Sequence, residues 1–443
     1  MYDQQVSSSR YVIRSSILVL LTFATAFFPR VVAAIGVPSL VNFVHFGVLA
    51  ILVGLTLPRT PVKIWNYLSK QIWFGLFILL VLIVASALFN LAGVSNVILD
   101  FILLSEPFVL LLAVVSIPMS KASVKQFRFW IMLFAFIHLF FAYFQYFILR
   151  LQPDDVKGVF LRQGAGHHVG GAIALTAAVY FFFTFKSLSI WLRTFVAIVF
   201  AADIVFSDSK QVVVVFLISL IIWVCINLKQ FSEALRYLAI VIITICFVFL
   251  VAKLVFPGPL AYWGNTERLI TGMSVKFSVF SIINFYYHSP LNWLIGLGPG
   301  HTIGRLAWLI PDYIRYLQPL GITSSPVTAA IFAENNTNAL SNIVTGSSMF
   351  SLTFSWAGIW GDLGLLGVGA YLYLWFLVWR QCPDNLSKFL LITVLVFGGI
   401  FSWLEEPGYM LFIAILIGFQ WQEHHITTTN SPKLSRTQFL KTT

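Results

Sequence analysis

Long apolar tracts alternate with short polar breaks along most of this chain, and the tracts are apolar on all sides instead of striped. A tract of about twenty residues can cross a hydrocarbon core of about 30 Å as a helix, which bonds every backbone group within its own segment. About twelve such spans are predicted, over residues 11–28, 36–57, 71–90, 97–117, 127–149, 169–185, 190–206, 211–228, 237–255, 351–379, 388–403 and 407–421. The pattern fails once, between 256 and 350, where Asn, Ser, Thr, Trp, Tyr and Gly gather around Arg268, Lys276, Arg305 and Arg315. The expected fold is all-α: a polytopic transmembrane helical bundle forming one membrane domain over 1–443. Residues 256–350 make a large extracytoplasmic loop with short helices between spans nine and ten, and 422–443 form a cytoplasmic tail.

Inside the loop, Leu269, Met273, Phe280, Ile283 and Tyr287 recur at helical spacing, which predicts a helix over 266–287 lying in the membrane interface. Pro257, Pro259, Pro290, Pro299, Pro311, Pro319 and Pro326 divide the loop into short pieces. The Asn-rich stretch from Gly321 to Ser348 reads as irregular and rich in hydrogen-bonding groups, suited to a polyhydroxylated ligand.

Composition agrees, with 59% hydrophobic and 10% charged residues. The net charge of +11 reflects topology: most of the 27 lysines and arginines fall in the segments that are cytoplasmic if the N-terminus is. Both termini are then expected inside and the 256–350 loop outside. The first span, after Arg10 and Arg14, reads as a retained signal anchor. Aromatic-interleaved basic patches are absent, so nucleic acid is not an expected partner. Cys225, Cys246 and Cys382 show no CxxC spacing and read as packing residues.

Cations on the outer side run against the topology signal and need a reason. Arg162, Lys210 and Arg268 stand before spans six and eight and at the start of the loop helix, where folding could gather them to bind an anionic headgroup; interfacial snorkelling is the plainer alternative. Arg305 and Arg315 are further loop contacts. The loop's Trp and Tyr residues suit sugar stacking or interface anchoring, and Gly296–Gly300 (GLGPG) could offer backbone amides to an anion. His167 and His168 adjoin in GAGHH, but neighbours on a helix point about 100° apart, so no metal is expected. His168 is a candidate general base, as is Glu267, against a helix-start hydrogen-bonding role for the histidine. Asp100, Glu106 and Asp203 fall inside spans and suggest hydrogen bonding between helices or a proton path.

Taken in order, RQGAGHHVGGAIAL, SDSKQVVVVFLISL, TERL, NWLIGLGPG and WGDLGLLGVGAYLYL resemble the O-antigen polymerase and ligase superfamily over roughly residues 158–380. The resemblance implies a metal-independent membrane glycosyltransferase without cofactor, acting on glycans carried by undecaprenyl diphosphate at the outer face of the bacterial plasma membrane. It implies diphosphate-binding roles for Arg162 and Arg268, with Lys210 less closely matched. Ligases of that superfamily carry a histidine upstream of GLLG where this chain has Thr353, so a polymerase is expected, with glycan ligation as the alternative. Proton-coupled transport, or a non-catalytic place among polysaccharide assembly partners, are the rivals from other classes.

Overall fold

A computed structural model of the chain describes residues 15–56, 67–161, 165–227, 265–340 and 348–430. Every described element is helical. The first half contributes α1 (Ser15–Phe27), α2 (Pro29–Ala34), α3 (Val44–Thr56), α4 (Tyr67–Phe89), α5 (Val94–Ser116), α6 (Lys121–Tyr143), α7 (Gly166–Thr184), α8 (Ile190–Phe206) and α9 (Lys210–Asn227). After them come α10 (Thr266–Phe285), α11 (Pro290–Ile295), α12 (Arg305–Leu317), α13 (Pro326–Leu340), α14 (Ser355–Gln381), α15 (Asn385–Phe397) and α16 (Pro407–Asn430).

Seven helical segments are long and apolar enough to cross a membrane, and α1 and α15 are shorter apolar helices. The 23 residues of α5 rise roughly 34 Å, enough for a hydrocarbon core. Twelve spans are therefore not all accounted for, and the ninth, expected at 237–255, lies outside the described residues. Side chains such as Phe74, Phe77, Leu88, Phe140, Phe195 and Phe376 are exposed, the apolar exterior that a bilayer solvates. The core centres on α16, whose Tyr409, Phe412 and Phe419 are fully buried as it packs on α5, α1, α15, α6 and α7.

Helix starts follow side-chain chemistry. Ser120, Ser189, Asn265 and Asp384 each accept a hydrogen bond from a backbone amide in the first turn of α6, α8, α10 and α15.

In α14 the helix breaks at Gly364 (φ 66°, ψ −167°), a left-handed position that glycine adopts without strain. The break frees the carbonyls of Gly361 and Asp362, which accept from the amides of Leu297 (2.8 Å) and Gly298 (3.1 Å); Ser86 Oγ on α4 also donates to Asp362 O (2.7 Å). The Asp362 carboxylate accepts from the Gly300 amide (2.9 Å), the Thr302 amide (2.8 Å) and Thr302 Oγ1 (2.5 Å). The anion served by the GLGPG backbone is thus Asp362 of the same chain. A Cβ on Gly296 would lie 2.3 Å from the Asp362 backbone, and one on Gly364 would lie 2.4 Å from Leu294, so both positions require glycine.

The expected loop helix forms, as α10, but its buried side runs through Gly272, Lys276, Val279 and Ile283, and of the expected apolar face only Ile283 is fully buried. Ile270, Phe277 and Phe285 are exposed on other sides of that helix. Lys276 is the unexpected member of the buried side: its Nζ donates to the carbonyls of Met349 (3.0 Å), Ser351 (3.2 Å) and Ile400 (3.0 Å) and lies 4.6 Å from the Phe354 ring centre. Part of the stretch expected to be irregular is helical. Pro326 opens α13, where proline's missing N–H costs nothing, and Asn335 accepts from the Leu352 amide (3.2 Å). Nor does Pro311 end α12, which runs through it.

A candidate anion cleft at one end of the bundle

Connections gather at one end of the bundle. Asn96 on α5 binds the backbone of Pro299 and Thr323, Asn90 binds Gly296 O, and Asn42 Nδ2 donates to Tyr313 Oη (2.7 Å). Between these anchored pieces lies a narrow cleft lined by Arg30, Asn42, His45, Arg305 and Glu406, with aromatic walls from Phe43, Phe46 and Phe160.

Sequence places each cation. Pro29 opens α2 directly after α1 and carries Arg30 to the helix end. Arg305 is the first residue of α12, an amphipathic helix seated by Leu306, Ile310, Tyr313 and Leu317 against Leu103 and Ile322. Its amide donates to Glu405 Oε2 (2.6 Å) and its guanidinium pairs with Glu406. The turn that presents both glutamates is itself fixed, since Tyr371 Oη donates to Leu404 O (3.1 Å) and the Leu404 amide to Ser355 Oγ (3.0 Å). Pro407 then starts α16.

Arg30 makes no hydrogen bond or ion pair among the described residues, yet it sits in the electrostatic reach of Glu406 and Arg305. Burial lowers its pKa, Glu406 opposes that, and Arg305 adds to it. Guanidinium stays charged under such shifts. Burial pushes Glu405 up to about 8 against the Arg305 amide bond, and the charge of Asp362 acts with burial. Arg30 and Arg305 can therefore bind an anion with several donor groups, in competition with Glu406 for Arg305.

Buried acids meet histidines between the helices. His45 Nε2 on α3 lies 3.2 Å from Glu106 Oε2 on α5, and His138 Nε2 on α6 lies 3.9 Å from Asp203 Oδ2 on α8. They give Glu106 and Asp203 partners on neighbouring helices.

Of the sequence candidates among the described residues, Arg305 alone lines the cleft. His168 is buried near the start of α7, its Nε2 2.6 Å from Ser348 Oγ and its ring 5.0 Å from that of Phe401. Lys210 begins α9 beside it, since Ser209 Oγ donates to the His167 carbonyl (2.7 Å), and is paired with Asp208. Glu267 and Arg268 are exposed in the first turn of α10. Arg315 is exposed with its guanidinium 4.4 Å above the Tyr316 ring centre. Arg162 lies outside the described residues. The cleft adds Asn42, His45 and Glu406, which sequence reading passed over, and Arg30, which it counted only as one of the outer cations. Their signals were a His and an Asn in or beside an apolar span, and an acid doublet before the proline that opens the last one.

Compared with known proteins, the chain matches no family model and no curated relative.

Proposed function

We propose that this chain is a polysaccharide polymerase of the bacterial plasma membrane, transferring glycan between undecaprenyl-diphosphate-linked oligosaccharides at the outer face. The observation that carries this reading is the convergence of Arg30 and Arg305 on an aromatic-walled cleft at one end of an apolar helical bundle. A lipid-linked glycan presents the same sequence of chemistries: an anionic diphosphate, a polar sugar and an apolar tail.

In the proposed reaction a hydroxyl of one glycan attacks the anomeric carbon of another, and the C–O bond to the diphosphate breaks with its electron pair leaving on that oxygen. Diphosphate is a good leaving group, so the main assistance is neutralisation of its developing charge by Arg30 and Arg305. The Thr at position 353 favours polymerisation over ligation.

Purified chain incubated with lipid-linked repeat units should yield products lengthened by whole repeats when weighed by mass spectrometry. Arg30→Ala, which strands no ion-pair partner, should slow this about 100-fold. A well-folded Arg30→Ala variant with wild-type rate would remove the cleft from the reaction. Polymer transferred to a different acceptor would favour a ligase, and substrate-driven proton flux in liposomes a transporter.

A further inference from the structure

The cleft has two chemically different sides. Arg30 and Arg305 bring donors only, which is what an anion takes. The side formed by the end of the 39–43 turn and the start of α3 brings acceptors. Asn42 spends its amide nitrogen on Tyr313 Oη at 2.7 Å, which leaves Oδ1, and that oxygen is buried with no hydrogen-bond partner. His45 stands three residues on, one helical turn away on the same face, and is 2% exposed. Its Nε2 lies 3.2 Å from Glu106 Oε2 in an ion-pair contact without hydrogen-bond geometry, and its other nitrogen, Nδ1, is likewise buried without a hydrogen-bond partner.

Glu106 is 1% exposed. A carboxylate at this depth is costly without a donor, and the nearest donor is His45. Facing Nε2, the carboxylate favours the tautomer with the proton on that nitrogen, so the lone pair resides on Nδ1. Two acceptors on one side of the cleft, Asn42 Oδ1 and His45 Nδ1, suit hydroxyl groups and repel phosphate oxygens.

We propose that this side of the cleft holds the acceptor sugar, with His45, oriented by Glu106, as the base that takes the proton from the attacking hydroxyl. The proposal rests on the glycan-transfer reading above. As the hydroxyl oxygen bonds to the anomeric carbon, its proton passes to His45 Nδ1 and the bond to the diphosphate oxygen breaks. The imidazolium then releases the proton to the departing diphosphate or to water, and Glu106 stabilises the transient charge. Asn42 Oδ1 accepts a hydrogen bond from a neighbouring hydroxyl of the same sugar.

The test uses the full chain and a lipid-linked repeat unit, following kcat and KM. His45→Gln should lower kcat about 100-fold with little change in KM for the donor. Glu106→Gln should lower kcat less. Added imidazole should recover part of the rate in His45→Gly. A folded His45→Gln variant with wild-type kcat overturns the assignment and leaves polymerisation standing. So does a wild-type kcat that is unchanged in D2O, which is decisive even where the variants fail to fold. A wild-type chain that lengthens no glycan fails the underlying reading first.

Discussion

Lys276 shows how one side chain can tie separate segments together. Its ammonium has three N–H groups and meets three carbonyls, two in 349–351 and one at Ile400, so the start of α14 and the approach to α16 are both held to α10. Burial pulls its pKa down from 10.5 to about 7. With the folded value below the unfolded one, the unfolded chain holds more protons between about 7 and 10.5, so this residue's contribution to stability improves as pH rises through that window. Glu405 works in the opposite sense. Its folded value near 8 exceeds 4.5, so its burial cost grows as pH rises from 4.5 to about 8 and then levels off. Together the two groups place a minimum of thermal stability at about pH 7 to 8. Lys276→Met should lose the alkaline rise and cost about 3 kcal/mol at neutral pH, from three stranded carbonyls; melting curves in detergent across pH test both.

Among the elements, α14 is the one whose shape depends on a segment far from it in sequence. Gly364→Ala would force a side chain into a left-handed φ and against Leu294, with an expected cost of about 3 kcal/mol from strain and overpacking. Gly369 lies on the same helix with open space around its Cβ position, so Gly369→Ala should cost nothing. Thermal unfolding of the pair separates the two effects. The apolar tracts made the helices legible because hydrocarbon length is a property of each tract alone. The break in α14 was not legible, since GDLG reads as helix until the amides of Leu297 and Gly298 arrive to bond its carbonyls. The course of α13 was hidden for a related reason: its asparagines look loop-like in sequence, while Asn335 is used to bond Ser351 and Leu352. On α10 the period was readable but the face was not, because a buried lysine replaced an apolar residue at its centre.

At the scale of the whole molecule, distribution of charge gave an orientation that the helix order can test. Asp155 and Ser187 are exposed just before the start and just past the end of α7, hence on opposite sides of a spanning helix. A cysteine placed at Asp155 should react with an impermeant maleimide from outside intact cells, and one at Ser187 only after permeabilisation; the reverse result would invert the topology. Arg305 was legible as a loop cation that needed a reason. Its companions were not, because Arg30 was one outer cation among several and His45 looked like part of an apolar span, and only folding brings α2, α3 and α12 to one cleft.

Under the proposed function, the pairing of Arg305 with Glu406 bears on which headgroups the cleft would retain. The resident carboxylate already neutralises one guanidinium, so a singly charged phosphodiester that displaced it would exchange one negative charge for another and gain little. A doubly charged diphosphate restores that neutrality and still has a charge to offer Arg30. If the cleft serves the proposed reaction, Glu406 would then act as a valence filter, favouring pyrophosphoryl carriers over phosphoryl ones without any contact to the lipid tail.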